Sequence, residues 1–291
     1  MRPLLGTLAV VLLSLPPLSA QPSDGLKVFI SVDMEGLTGV ANWEEVSREG
    51  KDYDYFRRIM SHEANAAVLG AFDAGATEVV VRDSHGSARN ILPDLLDPRA
   101  YLIRDWSGGP KSMMEGIDES FDAVVFIGYH ARAGTPNALL EHTTSGGVQD
   151  FSINGRPYPE AGYNALIAGT YGVPVIFVAG DQAICDQVQE FLGGVATFAT
   201  KQGIGAAARN NHPEVSQKGI RSGVAEAVRN RGQYRPFRLN PPYTLVLKLK
   251  NEESVYNGSF FPGARRTGDW ELTFTTDDFL QLMYAYSVMR R

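Results

Sequence analysis

Short runs of consecutive apolar residues alternate with helical patterns through the first two thirds of this chain. Four of these runs begin near Lys27, Thr77, Phe121 and Val173, and they are rich in valine, isoleucine and phenylalanine. Strands that are apolar on both faces are typical of a parallel sheet covered by helices on both sides. In such sheets ligands bind beyond the carboxyl ends of the strands, and right-handed crossovers bring those ends to one edge.

The fold class that follows is α/β: a three-layer, mostly parallel sheet covered by helices, with a smaller α+β domain. Gly75 and Gly172 mark the ends of the first two helices, since glycine commonly ends a helix. Strands are predicted at 27–32, 77–82, 101–104, 121–127, 173–179 and 195–199, and helices at 53–74, 161–171 and 182–191.

The alternation breaks in two places. Val148–Ile153 runs into Asn154-Gly155, which is a strong signal for a hairpin. After about residue 205, the predicted elements are helices at 215–229 and 277–289 and strands at 243–250 and 270–276. We therefore predict an α/β domain over 25–204, with a hairpin excursion over 139–159, and a smaller α+β domain over 205–291. The hairpin is expected either to join the smaller domain or to lie over the cleft between the two.

The amino terminus has the features of a secretory signal peptide. Arg2 precedes an apolar stretch from Leu4 to Leu13, and Pro16–Ala20 ends in small residues of the kind found at signal-peptide cleavage sites. Because the stretch is too short to span a bilayer comfortably, residues 1–20 are predicted to be cleaved, with an uncleaved anchor as the alternative. The mature protein is expected in the periplasm or outside the cell, without a membrane partner. A single cysteine, Cys185, excludes an intrachain disulfide and favours a bacterial periplasm.

The charge of the chain excludes one class of function. With 291 residues, a formal net charge of −6 and no basic run, the protein is not expected to bind nucleic acid.

Residue types that bind metals stand where the predicted strands end. The first strand runs into Asp33 and Glu35, whose carboxylates project to the same side of an extended backbone. Such a pair repels unless it is protonated or bridged by a cation. The second strand is followed by His85, the fourth by His130, and Glu160 opens the next helix. Each of these residues alone is commonly structural, but together at one edge they indicate a metal site.

Two imidazoles and three carboxylates suit zinc, with manganese or another divalent ion less favoured. They are more ligands than one tetrahedral catalytic zinc uses, so the predicted cofactor is Zn²⁺, two ions per chain, bridged by an aspartate and a water. Two cations that share a water lower its pKa and stabilise charge on an attacked carbonyl.

Several motifs, taken in order, resemble those of the bacterial dinuclear-zinc D-aminopeptidases, a family of self-compartmentalising metallopeptidases. The resemblance extends from about Lys27 to Lys201 and is weaker towards the C-terminus. The stretches that carry it are Ser31–Gly36, Asp83–His85, Gly128–Arg132, Asn154–Pro157 with Glu160, and Val178–Asp181.

The resemblance implies a role for each of six residues. Asp33 would bridge the two zinc ions, Glu35 and His85 would complete one site, and His130 and Glu160 would complete the other. The catalytic histidine of the family matches His142.

The resemblance also implies an activity and an assembly. The activity is the removal of N-terminal D-amino acids, such as D-alanine, from short peptides. The assembly is a ring-based homo-oligomer, with a decamer as its implied size, that encloses the active sites. The export signal departs from the family type, which is cytoplasmic, and leaves the physiological substrate open.

Three chemical roles are possible for His142. It could donate a proton to the leaving amine, stabilise the oxyanion, or attack as a nucleophile. With a metal-activated hydroxide available, the first two are favoured over covalent attack. The structural alternative is an exposed loop histidine beside Glu141.

Three further residues are weaker candidates. Asp181 could support a ligating histidine or cap the helix that follows it. Lys201 could meet a substrate carboxylate, although a solvated surface lysine is the commoner situation. Asn164 could bind substrate or make a hydrogen bond on its helix face.

Two other functions fit the same residues. A dinuclear metallo-phosphoesterase would use the same ligand types, but no Gly-rich phosphate cradle follows a strand. A non-catalytic periplasmic peptide-binding protein would explain an export signal and two lobes. Binding a peptide, however, does not require as many potential metal ligands as the two histidines and three carboxylates supply. Assays on a peptide and on p-nitrophenyl phosphate, together with calorimetry, would separate these alternatives.

Overall fold

Two sheets organise residues 25–291, the part of the chain that this computed structural model describes. The predicted signal peptide, residues 1–20, lies outside these residues. The strands are β1 (Lys27–Val32), β2 (Glu78–Asp83), β3 (Tyr101–Ile103), β4 (Ala123–Tyr129), β5 (Val148–Ile153), β6 (Arg156–Pro157), β7 (Val175–Asp181), β8 (Ala196–Ile204), β9 (Ala207–Asn210), β10 (Tyr243–Leu249), β11 (Arg265–Gly268) and β12 (Glu271–Thr276). The helices are α1 (Trp43–Val46), α2 (Tyr53–Asp73), α3 (Glu160–Thr170), α4 (Gln182–Leu192), α5 (Pro213–Arg229), α6 (Glu252–Gly258) and α7 (Phe279–Met289).

The larger sheet has the order β3-β2-β1-β4-β7-β8-β9, and all its neighbours are parallel except β8 and β9. Successive residues of β1 point to opposite faces, as its pleat requires. Val28, Ile30 and Val32 pack in the apolar core beneath α2 and α5, whereas Phe29 packs in the core beneath α3. Helices therefore cover both faces, and the predicted fold class is confirmed.

The smaller sheet is antiparallel, with the order β11-β12-β10-β5-β6. The hairpin of β5 and β6 turns at Asn154, whose φ of 52° and Gly155's of 79° are the left-handed values that an Asn-Gly turn requires. Its strand β5 pairs directly with β10. The hairpin thus joins the smaller sheet, the first of the two predicted alternatives, and α7 packs on the same sheet against β10 and β12.

The two sheets do not divide the chain at residue 205. β9 extends the larger sheet, and α5 packs on α2 and on the larger sheet. The elements beyond residue 205 that form the smaller sheet are β10, β11 and β12, and they share it with the hairpin. A boundary at residue 205 separates elements that lie in one layer, because the chain crosses between the two sheets three times.

Four short elements were not predicted from the sequence. They are brief or exposed: α1 has four residues, and β11 is exposed along its whole length. None of the described helices is long and apolar enough to cross a bilayer.

Candidate metal centre

The five predicted ligands meet at the carboxyl edge of the larger sheet. Asp33 and Glu35 follow β1, His85 follows β2, His130 follows β4, and Glu160 begins α3. Each of the five residues is at most 9% exposed. Adjacent strands β2, β1 and β4 bring these segments together, as the sheet order requires.

Asp33 lies between the two imidazoles and offers one oxygen to each. Its Oδ1 is 3.1 Å from His85 Nδ1, and its Oδ2 is 3.4 Å from His130 Nε2. Glu35 Oε2 lies 3.0 Å from the same nitrogen of His85. Glu160 Oε1 lies 3.6 Å from His130 Nε2. The cluster therefore has two halves that share Asp33.

The outer nitrogen of each histidine is held by a main-chain carbonyl. His85 Nε2 donates to Val46 O at 2.9 Å, and His130 Nδ1 donates to Ala131 O at 2.9 Å. In a neutral imidazole this leaves the inner nitrogen as an acceptor. Those inner nitrogens face carboxylate oxygens, which are acceptors too. A backbone carbonyl behind the ring is the usual arrangement of a metal-ligating histidine.

Two atoms at the centre of the cluster have no hydrogen-bond partner among the described residues: Asp33 Oδ2 and His130 Nε2. Buried polar atoms are otherwise almost always satisfied, so orphaned acceptors that face one another need protons or a cation between them. Asp33, Glu35 and His130 place one atom each within 4.8 Å of one another. The donor set, nitrogen and carboxylate oxygen, is the one that zinc takes. The residues present thus fit the predicted metal.

The pKa shifts expected within the cluster agree with this geometry. Burial, followed by repulsion from the Glu35 carboxylate, raises the pKa of Asp33 to about 8. Burial disfavours the charged form of His130, but the surrounding carboxylates, Glu160 foremost, outweigh it and raise the pKa of that imidazole to about 10. The metal-free cluster therefore retains protons at neutral pH that a bound cation would displace.

Two glycines allow the segment after β1 to cross the end of β4. Gly36 N donates to Gly128 O at 2.8 Å, and a Cβ at Gly36 would overlap the carbonyl oxygen of Tyr129. Gly128 has a φ of 71°, and a Cβ there would overlap the carbonyl oxygen of Asp33. Any larger residue at either position would push Asp33 away from His130.

His142 lies against the half of the cluster that contains His130. Its ring stacks on the His130 ring at 4.1 Å and 10°, and its Nε2 is 3.6 Å from Glu160 Oε1. Its Nδ1 donates to Leu140 O at 2.9 Å, and the edge of Trp43 packs on it at 5.4 Å. With 13% of its side chain exposed, His142 is not the exposed loop residue of the structural alternative.

Burial and the neighbouring His130 lower the pKa of His142, so its imidazole is neutral at pH 7. The spacing of His130, His142 and Glu160 would also suit a metal ion. His142 is therefore placed to transfer protons or to act as an additional ligand, and its catalytic role remains a prediction.

Lys201 differs from the sequence-based interpretation. It is 2% exposed, and its ammonium donates to the main-chain carbonyls of Glu35 and Val40. Burial lowers the pKa of Lys201 to about 8. The expectation of a solvated surface lysine is wrong, and the side chain lies behind Glu35 rather than towards a substrate.

The other two weak candidates are buried side chains with structural partners. Asp181 accepts from Ile184 N at 2.9 Å, which makes it the cap of α4. Asn164 lies on α3 and donates to Tyr129 Oη at 3.1 Å and to Met113 Sδ at 3.1 Å. Neither side chain hydrogen-bonds a histidine within residues 25–291.

The loop that carries His85 is fixed by a residue that the sequence analysis did not single out. Asn90 Nδ2 donates to Asp83 Oδ1 at 2.7 Å and to the carbonyl of His85 at 2.6 Å. Tyr53 from α2 donates to Asn90 Oδ1 at 2.7 Å. The spacing Asp83-x₆-Asn90 is a weak loop signal, so only the structure identifies this support.

A cavity of about 530 Å³ opens over the cluster. Its far wall comes from α7, which the sequence analysis did not connect with the site. The residues of this wall are Met283, Tyr286, Ser287, Arg290 and Arg291. Tyr286 Oη donates to Thr144 Oγ1 at 2.7 Å, and Thr144 N donates to Glu160 Oε1. The cavity thus lies between the ligand cluster and the C-terminal helix.

Comparison with known proteins gives concordant matches. Residues 26–288 match the model of the peptidase M55 family, described as D-aminopeptidase. A D-aminopeptidase of Bacillus subtilis (strain 168) is 37% identical over 270 residues, covering 91% of this chain and 96% of the relative. Among solved structures, a zinc-dependent D-aminopeptidase from Bacillus subtilis, a self-compartmentalizing protease, matches with a TM-score of 0.87 at 36% identity, covering 91% of this chain and 96% of that one.

Proposed function

This chain belongs to the peptidase M55 family of D-aminopeptidases, and we propose that it is a zinc-dependent aminopeptidase that removes N-terminal D-amino acids, such as D-alanine, from short peptides. The observation that carries the proposal is the buried cluster in which orphaned acceptors of Asp33 and His130 face each other. A relative of similar fold is described as zinc-dependent.

The two halves of the cluster suggest two metal positions. Asp33, Glu35 and His85 would hold one zinc ion, and Asp33, His130 and Glu160 would hold the other. Bound divalent ions supply Lewis acidity, which acidifies water and polarises a carbonyl. Three carboxylates and neutral imidazoles match the charge of such ions, which the protein alone balances only with protons.

The protein's own contribution to hydrolysis is orientation and proton transfer. The carbonyl of Leu140 holds Nδ1 of His142, which lines the cavity, so Nε2 is the nitrogen left to take up or release one proton. Cleavage of a peptide bond requires a proton on the departing amine, and His142 Nε2 is the group positioned to supply it. The Thr144 N–H group donates to Glu160 Oε1 and so fixes the carboxylate oxygen that lies 3.6 Å from His142 Nε2.

The two alternative functions are not favoured. Membership in a D-aminopeptidase family supports peptide hydrolysis over phosphoester hydrolysis and over passive peptide binding. The cavity volume also lies within the range of small-ligand sites, which suits short peptides.

Assembly and location extend the proposal. One relative is described as self-compartmentalizing, which supports a homo-oligomer here, and a ring-based decamer is the form we propose. The apolar stretch Leu4–Leu13 supports export to the periplasm or the medium, with cleavage after Ala20. Sedimentation velocity and N-terminal sequencing of the mature protein test these two points.

Metal removal is the direct test of the function. Dialysis against a chelator should lower the hydrolysis of D-Ala-D-Ala by about 100-fold or more, because Lewis-acid activation is lost. Added zinc should restore the activity at two equivalents per chain. Parallel assays with L-Ala-L-Ala and p-nitrophenyl phosphate report stereochemistry and reaction class. Undiminished D-Ala-D-Ala hydrolysis by metal-free protein would refute the mechanism.

A further inference from the structure

The last turn of the chain supplies a cationic group to the cavity. Arg290 follows α7 directly, is half-buried, and lines the cavity together with Tyr286 and Glu160. Its Nε is buried and has no hydrogen-bond partner within residues 25–291. Over the same residues, none of the ion pairs involves Arg290. The guanidinium at this wall of the cavity thus has no anionic partner within residues 25–291, so it is available to an anionic group of a ligand.

Arg290 is connected to the ligand cluster through Tyr286 and Thr144. Its guanidinium carbon lies 5.8 Å from the centre of the Tyr286 ring. The hydroxyl of Tyr286 binds Thr144, and the amide of Thr144 binds Glu160. The cavity is therefore polarised, with carboxylates and imidazoles on the sheet side and an arginine on the side of α7.

We propose that Arg290 binds the free C-terminal carboxylate of the peptide substrate and thereby selects short peptides. This inference rests on the proposed aminopeptidase function. A peptide whose amino end lies at the ligand cluster directs its carboxylate across the cavity. Two or three extended residues span at most about 7 to 11 Å, and a cavity of about 530 Å³ has the volume of a small-ligand site. A guanidinium presents paired donors that match a carboxylate, and burial strengthens the contact.

Arg290 is a better candidate than its neighbour. Arg291 also lines the cavity, but it is exposed to solvent. Exposed ion pairs contribute little because water and salt screen them. The specificity of the site for a free carboxyl end is therefore assigned to Arg290.

The experiment compares two substrates with the same scissile bond, D-Ala-D-Ala and its C-terminal amide. The zinc-loaded wild-type enzyme should cleave both, and kcat/KM should be higher for the free acid by about 10- to 100-fold, the range expected of a hydrogen bond to a charged group. Arg290→Gln should lower kcat/KM for the free acid by a similar factor, mainly through KM. It should change the amide reaction by less than about twofold.

Two further variants control for folding and charge. Arg290→Lys keeps the charge and should recover part of the preference for the free acid. Arg265→Gln removes an exposed arginine of β11 that does not line the cavity, and it should leave both reactions unchanged. Zinc content and thermal unfolding of each variant show whether it is folded.

Each other outcome overturns the assignment in a recognisable way. If Arg290→Gln impairs the acid and the amide equally, the residue only maintains the structure. If the wild type cleaves acid and amide equally well, no carboxylate contact exists, whatever the variants do. If the wild type cleaves neither substrate with zinc bound, the aminopeptidase function itself is wrong, a result distinct from a loss of discrimination between the two substrates.

Discussion

Two walls of the cavity, the one formed by the ligand cluster and the one formed by α7, are built from different kinds of groups. On the side of the larger sheet, five buried ionisable residues lie close together, and acceptor atoms of Asp33 and His130 have no hydrogen-bond partner within residues 25–291. On the side of α7, hydroxyl groups satisfy one another: Tyr286 binds Thr144, and Thr144 Oγ1 lies 2.9 Å from Tyr163 Oη. The wall on the larger sheet has more acceptor atoms than protons or cations to satisfy them. The wall on α7 is neutral except for its two arginines.

The difference between the two walls indicates that metal binding and substrate binding are separate functions of the site. Facing acceptors are costly when buried, so the sheet wall is stable only with protons or cations bound. Within residues 25–291 the only orphaned buried polar atom of the α7 wall is a donor, Arg290 Nε, and the wall belongs to a continuous apolar core through Tyr286 and Met283. Reaction chemistry is thus concentrated on the sheet wall, and the shape of the substrate site is set by the other.

The excess of charge extends behind the sheet wall. Lys201 lies directly behind Glu35, and Glu63 on α2 binds Thr38 N at 3.1 Å. Glu63 is fully buried, and its second oxygen has no partner within residues 25–291. The sheet wall is therefore backed by a second set of buried charges, which variants can probe separately from the ligands.

The largest effect is expected at His142, which tests whether metal binding and proton transfer are separate functions of the sheet wall. His142→Ala should lower kcat for D-Ala-D-Ala by about 10²- to 10⁴-fold, the contribution typical of a general acid or base. Zinc content, measured by plasma emission spectrometry, should remain that of the wild type. His212→Ala, at an exposed helix cap, is the matched control.

Loss of zinc from His142→Ala would instead show that His142 is a ligand. The sheet wall would then have six ligands, and its proton donor would have to be sought elsewhere. Unchanged kcat with zinc retained would exclude both roles.

The sheet wall could be predicted from the sequence because topology fixes it. Once β1, β2 and β4 are identified as parallel neighbours, Asp33, His85 and His130 must come to one edge. Glu160 follows as the first residue of the helix after the hairpin. The family motifs cover the same residues, so the sequence predicts which residues meet at this edge, whereas the distances among their atoms require the structure. Their role as metal ligands stays a prediction.

The α7 wall and the supporting residues could not be predicted in this way. Tyr286 meets Thr144 across 142 positions of sequence, and no periodic pattern records such a contact. Because a lysine near a strand end is commonly solvated, the sequence alone favours an exposed side chain for Lys201. Its burial follows from the register that pairs it with Asp181 and from the loop after β1 that covers it. The predicted boundary at residue 205 does not coincide with the division between the sheets. The amphipathic pattern of α5 indicates a helix that covers a sheet, but it does not indicate which of the two sheets.

An intermediate effect is expected at Lys201, which tests whether the charges behind the sheet wall position the ligands. Lys201→Met keeps the length of the side chain but removes two hydrogen bonds to the carbonyls of Glu35 and Val40. Zinc affinity should fall by about 10- to 100-fold, as is typical when the support of a metal ligand is lost. Competition with a chromophoric chelator measures this affinity.

Two results would contradict a positioning role for Lys201. Lys248→Met on the smaller sheet, whose lysine is 47% exposed, serves as the control and should bind zinc normally. Normal zinc affinity in Lys201→Met would limit that residue to stability. A variant with normal zinc affinity and a changed KM would instead indicate contact with substrate.

The smallest effect is expected at Glu63, where the probe is the pH dependence of stability. Burial raises the pKa of Glu63 to about 7 from the ordinary 4.5. The folded state therefore binds this proton more tightly than the unfolded state does, and the resulting stabilisation is complete below pH 4.5 and is lost as the pH rises through 7. Glu63→Gln stays neutral, so its unfolding free energy minus that of the wild type should increase between pH 5 and 7, by at most about 3 kcal/mol.

Urea denaturation of the metal-free proteins at several pH values measures this difference directly. Glu226→Gln, at an exposed position of α5, is the matched control. A Glu63→Gln difference that does not vary with pH would mean that Lys201 or solvent compensates the buried carboxylate. The charges behind the sheet wall would then be no more costly than the neutral groups of the opposite wall, and the contrast between the walls would be confined to the ligand cluster.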